Sequence, residues 1–82
     1  VQGARLAGLP EEVLFGVPKV VLVGEERVLI ENQKGVLEYG GDRIRIRTDS
    51  GLLEIGGAEL TIGHLGKGDL LVQGKIKRVE FT

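Results

Sequence analysis

His64 and Ser50 are the single histidine and single serine of the chain, and there is no cysteine. A nucleophile needs a base within hydrogen-bond reach and a third group to orient that base, so a hydrolytic centre would have to use both single copies. Ser50 falls in the turn-like run Thr48-Asp49-Ser50-Gly51, and His64 at the end of a strand-like run. Polar residues are common in both places. With one histidine and no thiol, a metal site would need clustered carboxylates. Glu25-Glu26 is an adjacent pair in a turn, and sequence neighbours rarely aim at one ion. Gly66-Lys67-Gly68 is a fragment of a phosphate loop, but that loop requires G-x-x-x-x-G-K-[ST] between a strand and a helix, and no helix follows. The expectation is a non-enzymatic protein with no catalytic residues, no metal and no cofactor.

Arg43, Arg45 and Arg47, with Lys75, Lys77 and Arg78, make one basic stripe. Proteins that bind single strands add stacking aromatics to such a stripe. This chain has only Phe15, Tyr39 and Phe81, and the last two fall in the inward register. Net charge is −1, from eleven basic and twelve acidic residues, so no overall field draws in nucleic acid or an anionic membrane. The stripe reads as a solvated sheet face or part of a protein-binding surface. No nucleic-acid partner is expected.

The elements that carry these residues are short strands. Gly is 14 of 82 residues, against a usual ~7%, and Pro only two, which calls for many turns. A single domain spanning 1–82 is expected, with 1–18 loosely organised; Leu9-Pro10-Glu11-Glu12-Val13-Leu14 could form one helical turn there. A chain this short buries only about 60–65% of the surface its unfolded form exposes. The longest apolar run, Val20 to Val23, is far below the roughly 20 residues that span a bilayer, so no direct membrane insertion is expected. Residues 1–9 lack the charged-then-apolar layout of a signal peptide.

A sixteen-residue recurrence organises the chain: Val28, Ile44, Leu60 and Ile76; Ile30, Ile46 and Ile62; Leu37 and Leu53; Gly35 and Gly51; Gly41 and Gly57. Arg43, Arg45 and Arg47 alternate with Ile44 and Ile46, the mark of a strand with one dry and one wet face. Turns are expected at Gly35 and Gly51, at the pairs Gly40-Gly41 and Gly56-Gly57 as tight hairpins, and at Gly74. These loops set Ile30 against Leu37, Leu37 against Ile44, Ile46 against Leu53 and Leu53 against Leu60. On the other face they set Arg43 across from Glu38 and Arg45 across from Glu54. Loop length fixes register, so one scheme satisfies both faces. Lys77-Arg78 suggests a bulge in the last strand.

The expected fold is all-β: an antiparallel meander of about eight short strands folded into a sandwich or partly closed barrel. The alternative is a small β-solenoid with sixteen-residue coils, whose signature is also apolar ladders at constant spacing. The candidate interaction surface is Leu29, Val36 and Leu52 among the arginines Arg43, Arg45 and Arg47, because a connected outward apolar patch marks an interface. Short exposed edge strands offer a second route, by strand addition.

From about Leu9 onward the chain resembles the YabP/YqfC family of sporulation proteins, and the YqfC branch more closely. The matching residues are Leu29-Ile30-Glu31-Asn32, Gly35, Glu38-Tyr39, Ile44-Arg45-Ile46-Arg47-Thr48, Gly51, Leu53, Ile55, Gly57, Leu60, Gly74-Lys75-Ile76 and Glu80-Phe81. The resemblance implies a small soluble protein of endospore-forming bacteria, made in the cytoplasm of the mother cell and linked with membrane proteins of the same programme. It implies no enzymatic activity and carries over no catalytic residue. The function expected is a β-rich binding or scaffold module, peripheral to a membrane, with a sporulation membrane protein as partner or as a homo-oligomer. The alternative is a ligand-binding or hydrolytic role on a cell-wall or lipid component, using Ser50, His64 or the arginines.

Overall fold

The computed structural model describes residues 16–82. The helical turn expected around Pro10, and most of the loosely organised segment 1–18, lie outside them. Six strands follow in order: β1 (Lys19–Val23), β2 (Arg27–Glu31), β3 (Gln33–Tyr39), β4 (Arg43–Thr48), β5 (Gly51–Leu65) and β6 (Asp69–Phe81). They form one sheet in the order β1-β2-β6-β5-β4-β3, every pair antiparallel. The antiparallel all-β expectation holds and the solenoid is excluded. The count is six, not about eight, because β5 and β6 are each one long strand where two short ones were expected. The meander holds from β3 to β6; the β1–β2 hairpin then docks on the far side of β6.

Alternation builds each element. In β4 the arginines face outward while Ile44 and Ile46 are fully buried. Val28 and Ile30 of β2, Leu53, Ile55 and Leu60 of β5, and Leu70, Val72 and Ile76 of β6 complete one cluster. Strands β2 and β4 are separated in the sheet by β6 and β5, so a flat sheet would hold their side chains far apart. Their shared burial means the sheet folds over on itself without closing into a barrel.

The fold line crosses β5 and β6. Residues 53–58 of β5 pair with 75–81 of β6, and 61–65 with 70–73, with register irregularities between. Glu59 (φ 56°) and Gly74 (φ 136°) take left-handed backbone conformations there. Gly56-Gly57 and Gly74 therefore sit inside bent strands, not in hairpin turns. Neither Gly56 nor Gly57 has the positive φ that a tight I′ turn would require. What those positions need is the absence of a side chain: a β-carbon on Gly57 would overlap the Lys75 carbonyl, and one on Gly56 would meet the Arg78 guanidinium. Lys77 is the extra residue where Gly56 pairs with Arg78 and Gly57 with Ile76, so the bulge expected near Lys77-Arg78 is present.

Other turns differ in detail. Gly40, Gly41 and Asp42 connect β3 to β4, closed by Gly40 N–H donating to the Arg43 carbonyl at 2.8 Å. Only Asp49 and Ser50 lie between β4 and β5, with Gly51 (φ 107°) opening the next strand. Gly35 (φ 142°) is inside β3 at an irregularity. Between β2 and β3 there is no hairpin. Asn32 (φ 68°) alone turns the corner from one half of the folded sheet to the other, donating from Nδ2 to the Val17 carbonyl at 2.8 Å. Buried Gln33 anchors the corner: its backbone N–H donates to Gly68 O, its Nε2 to Gly66 O, and its Oε1 accepts from Gly35 N–H. Ile30 therefore does not face Leu37.

Candidate functional site

The two residues a hydrolytic centre would need do not share a hydrogen bond. Ser50 sits in the β4–β5 turn, its N–H donating to Thr48 Oγ1 at 3.0 Å while that hydroxyl donates to the Gly51 carbonyl at 2.8 Å. His64 stands near the other end of β5, exposed, with Nε2 3.4 Å from Asp69 Oδ2. The N–H of Gly66 donates to the Asp69 carbonyl, and the carbonyls of Gly66 and Gly68 accept from Gln33, so the Gly66-Lys67-Gly68 loop is built for the hairpin. Glu25 and Glu26 lie in the β1–β2 turn, and their carbonyls accept from Ile76 and Gly74 N–H groups at the bend of β6. Among the described residues no group of three or more His, Asp or Glu side chains could hold a metal ion.

The arginine face is built as a network across four strands. The ladder sets Arg45 between Glu38 of β3 and Glu54 of β5, because the irregularity between Val36 and Glu38 shifts Glu38 away from Arg43. Arg43 still reaches it diagonally, Nη2 to Glu38 Oε2 at 2.9 Å, with Arg45 Nη1 at 3.7 Å from Oε1. Glu54 carries the centre. Its side chain is only 12% exposed, Arg45 Nε lies 3.4 Å from Oε1, and Arg78 of β6 donates to Oε2. Arg78 Nε also stands 2.8 Å from Glu80.

These contacts shift the charges they join. The hydrogen bond from Arg78 holds the Glu54 carboxyl below the usual carboxylate range, against the opposing pull of partial burial. The hydrogen bonds to Glu54 and to Glu38 raise Arg78 and Arg43 respectively. Arg43, Arg45 and Arg78 thus meet Glu38, Glu54 and Glu80 one for one. Such a face presents little net positive charge to a polyanion. Arg47 lies beyond the network and donates to the Lys34 carbonyl at 3.3 Å.

The candidate apolar patch is not assembled. Leu29 is exposed on β2, in line with Val21 of β1 and Leu71 of β6. Leu52 is half-buried on β5 opposite Arg47, in the other half of the sheet. Val36 turns inward, paired with Ile46 and packed against the core, while Leu37 is exposed. Tyr39 and Phe81 pair with buried Ile44 and Leu53 but lie at the open rim, 56% and 49% exposed. The Tyr39 hydroxyl accepts from Ile62 N–H at 3.2 Å and ties the two halves together there.

The exposed apolar side chains cluster elsewhere, on β1: Val21, Leu22 and Val23 are 38%, 56% and 43% exposed, and Val17 just before them 42%. The apolar run Val20 to Val23, with Gly24-Glu25-Glu26 after it, reads in the sequence as a strand and a turn, and β1 includes Lys19 as well. That it lies at an edge follows only from the order of the sheet. Among the described residues no helix is long and apolar enough to cross a membrane.

No curated protein matches the chain. The model of the YabP family matches it over residues 16–82, the whole of the sheet and the turn leading into it. An all-β sheet whose bends, corner and core are made by the residues within that span is thus the family's domain, and the chain belongs to the YabP family, which is associated with sporulation.

Proposed function

We propose that the chain is a non-enzymatic binding or scaffold module of spore formation, acting through a protein partner. The partner is a membrane protein of the sporulation programme or a second copy of the chain, and the module works in the mother-cell cytoplasm at the periphery of a membrane. The observation that carries this reading is the β1 edge, where apolar side chains are exposed beside a strand backbone that, among the described residues, pairs with nothing on its outer side. Edges of this kind pair with other chains unless a fold blunts them. The self-neutralised arginine face supports the same reading by leaving little for a polyanion to hold.

Affinity capture of a tagged chain from sporulating cells, with identification of what is retained, tests the proposal. A specific membrane-protein partner or the untagged chain itself is the expected recovery. Recovery of neither, with the purified protein monomeric at every concentration, overturns it.

A further inference from the structure

The two edges of the sheet are protected to different degrees. Strand β3 is interrupted by register irregularities between Gln33 and Gly35 and between Val36 and Glu38. It carries Lys34 and Glu38, and the Arg47 guanidinium occupies the Lys34 carbonyl. Bulges and charges are the devices that stop an edge from pairing. Strand β1 has none of them beyond Lys19 at its end. Its five residues pair with β2 without a shift, four of them apolar. Among the described residues, nothing pairs with its outer edge.

We propose that β1 pairs antiparallel with β1 of a second copy, about a two-fold axis at Val21, joining two six-stranded sheets into one of twelve strands. This inference rests on the binding-module reading and names the partner. Core-side rows run Leu70–Ile30–Val20 and Val72–Val28–Leu22 and stop at β1, leaving Leu22 largely exposed on the side that is otherwise buried. The two-fold sets Leu22 beside Val20 of the copy and continues both rows. It also places the two Lys19 ammonium groups at opposite ends of the ribbon, each facing Val23 of the copy, whereas a parallel pairing would stack them. Like charges directly opposite are destabilising. Because β3 is blunted, assembly stops at two copies, a closed isologous dimer. The chain preceding β1 leaves the edge: Val17 is held by Asn32, and Gly16 lies against the Asp49 carboxylate of the β4–β5 turn. A five-residue edge is a small interface, so the dimer is weak and concentration-dependent.

Cysteine crosslinking and sedimentation of the chain test this. No native cysteine interferes. Val21→Cys brings two thiols opposite each other within disulfide reach, and mild oxidation gives a crosslinked dimer. Val23→Cys leaves its thiols four residues apart along the ribbon, roughly 13 Å, and does not crosslink. The wild-type chain sediments with increasing dimer as concentration rises. Val21→Lys and Val21→Glu each weaken dimerisation by roughly tenfold, and an equal mixture of the two restores it. If the charged variants fail to fold by circular dichroism, the cysteine pair decides. Equal crosslinking at both positions, a dimer indifferent to both charges, or a wild-type monomer throughout overturns the proposal. A monomer whose β1 amides resist hydrogen exchange would show the edge covered in cis by residues 1–15, which also overturns it. A monomer that still retains a membrane partner from sporulating cells overturns this interface alone and leaves the binding-module reading standing.

Discussion

Gly57 lies so close to the carbonyl of Lys75 that a β-carbon on it would overlap the oxygen. This contact holds the inside of the bend where β5 and β6 turn together, and the bend brings β2 over β4. Gly74, in a left-handed conformation, meets the backbone of Glu59 and Leu60 from the opposite strand. Backbone cannot move aside as a side-chain tip can. Gly57→Ala and Gly74→Ala should each lower the stability by at least about 2 kcal/mol. Gly41→Ala, with open space around it and no positive φ, should change it by no more than ~0.5 kcal/mol. Urea denaturation midpoints of the three variants check the contrast.

Leu37 and Leu53 occupy the same phase of the sixteen-residue recurrence, yet one is 55% exposed and the other fully buried. Leu53→Ala should cost about 2–5 kcal/mol, a large share of the stability of so small a domain. Leu37→Ala should cost under ~0.5 kcal/mol. Equal losses in denaturant titrations would show that Leu37 is packed against the core in solution.

The difference between those two leucines also marks where the fold stops being legible from residues. Strand parity carries a reading as long as pairing is regular: Ile46 against Leu53, Arg45 against Glu54 and Arg47 against Leu52 follow from alternation and loop length alone. A bulge reverses parity without leaving a mark in composition. The irregularity before Glu38 turns Val36 inward and Leu37 out, and moves Glu38 from Arg43 to Arg45. Gly-Gly at 56–57 is ambiguous for a different reason, since the missing side chains serve a close backbone approach there and a turn at 40–41. Arg78 was legible as a basic residue but not as the partner of Glu54, because that contact depends on where β6 lies in the sheet. The same dependence hid β1 as an edge.

Glu54 makes acid stability measurable at one position. Its carboxyl titrates below the ordinary value, chiefly through the hydrogen bond from Arg78. In the unfolded chain it takes up its proton near the ordinary value, about 4.3. Its contribution is therefore complete above that value and is lost as pH falls through the lower folded value. The melting temperature of the wild-type chain should fall as pH drops below the ordinary carboxylate value, and Glu54→Gln should flatten part of that fall. A parallel fall in both proteins would mean that Glu54 contributes nothing to it.

The arginine face should bind no single-stranded nucleic acid. Binding strength of that kind comes from cations that release counterions on meeting phosphate, with aromatic rings stacking on bases. Arg43, Arg45 and Arg78 already face carboxylates, and Tyr39 and Phe81 pair on the core side of the sheet, away from the guanidiniums. A fluorescent oligonucleotide at low salt should show no anisotropy change with the wild-type chain. Glu38→Gln with Glu54→Gln removes two of the three neutralising carboxylates and should produce weak binding that vanishes as salt is raised. Salt-sensitive binding by the wild-type chain would show that the carboxylates fail to neutralise the stripe, and the face would then have to be counted as an anion-binding surface.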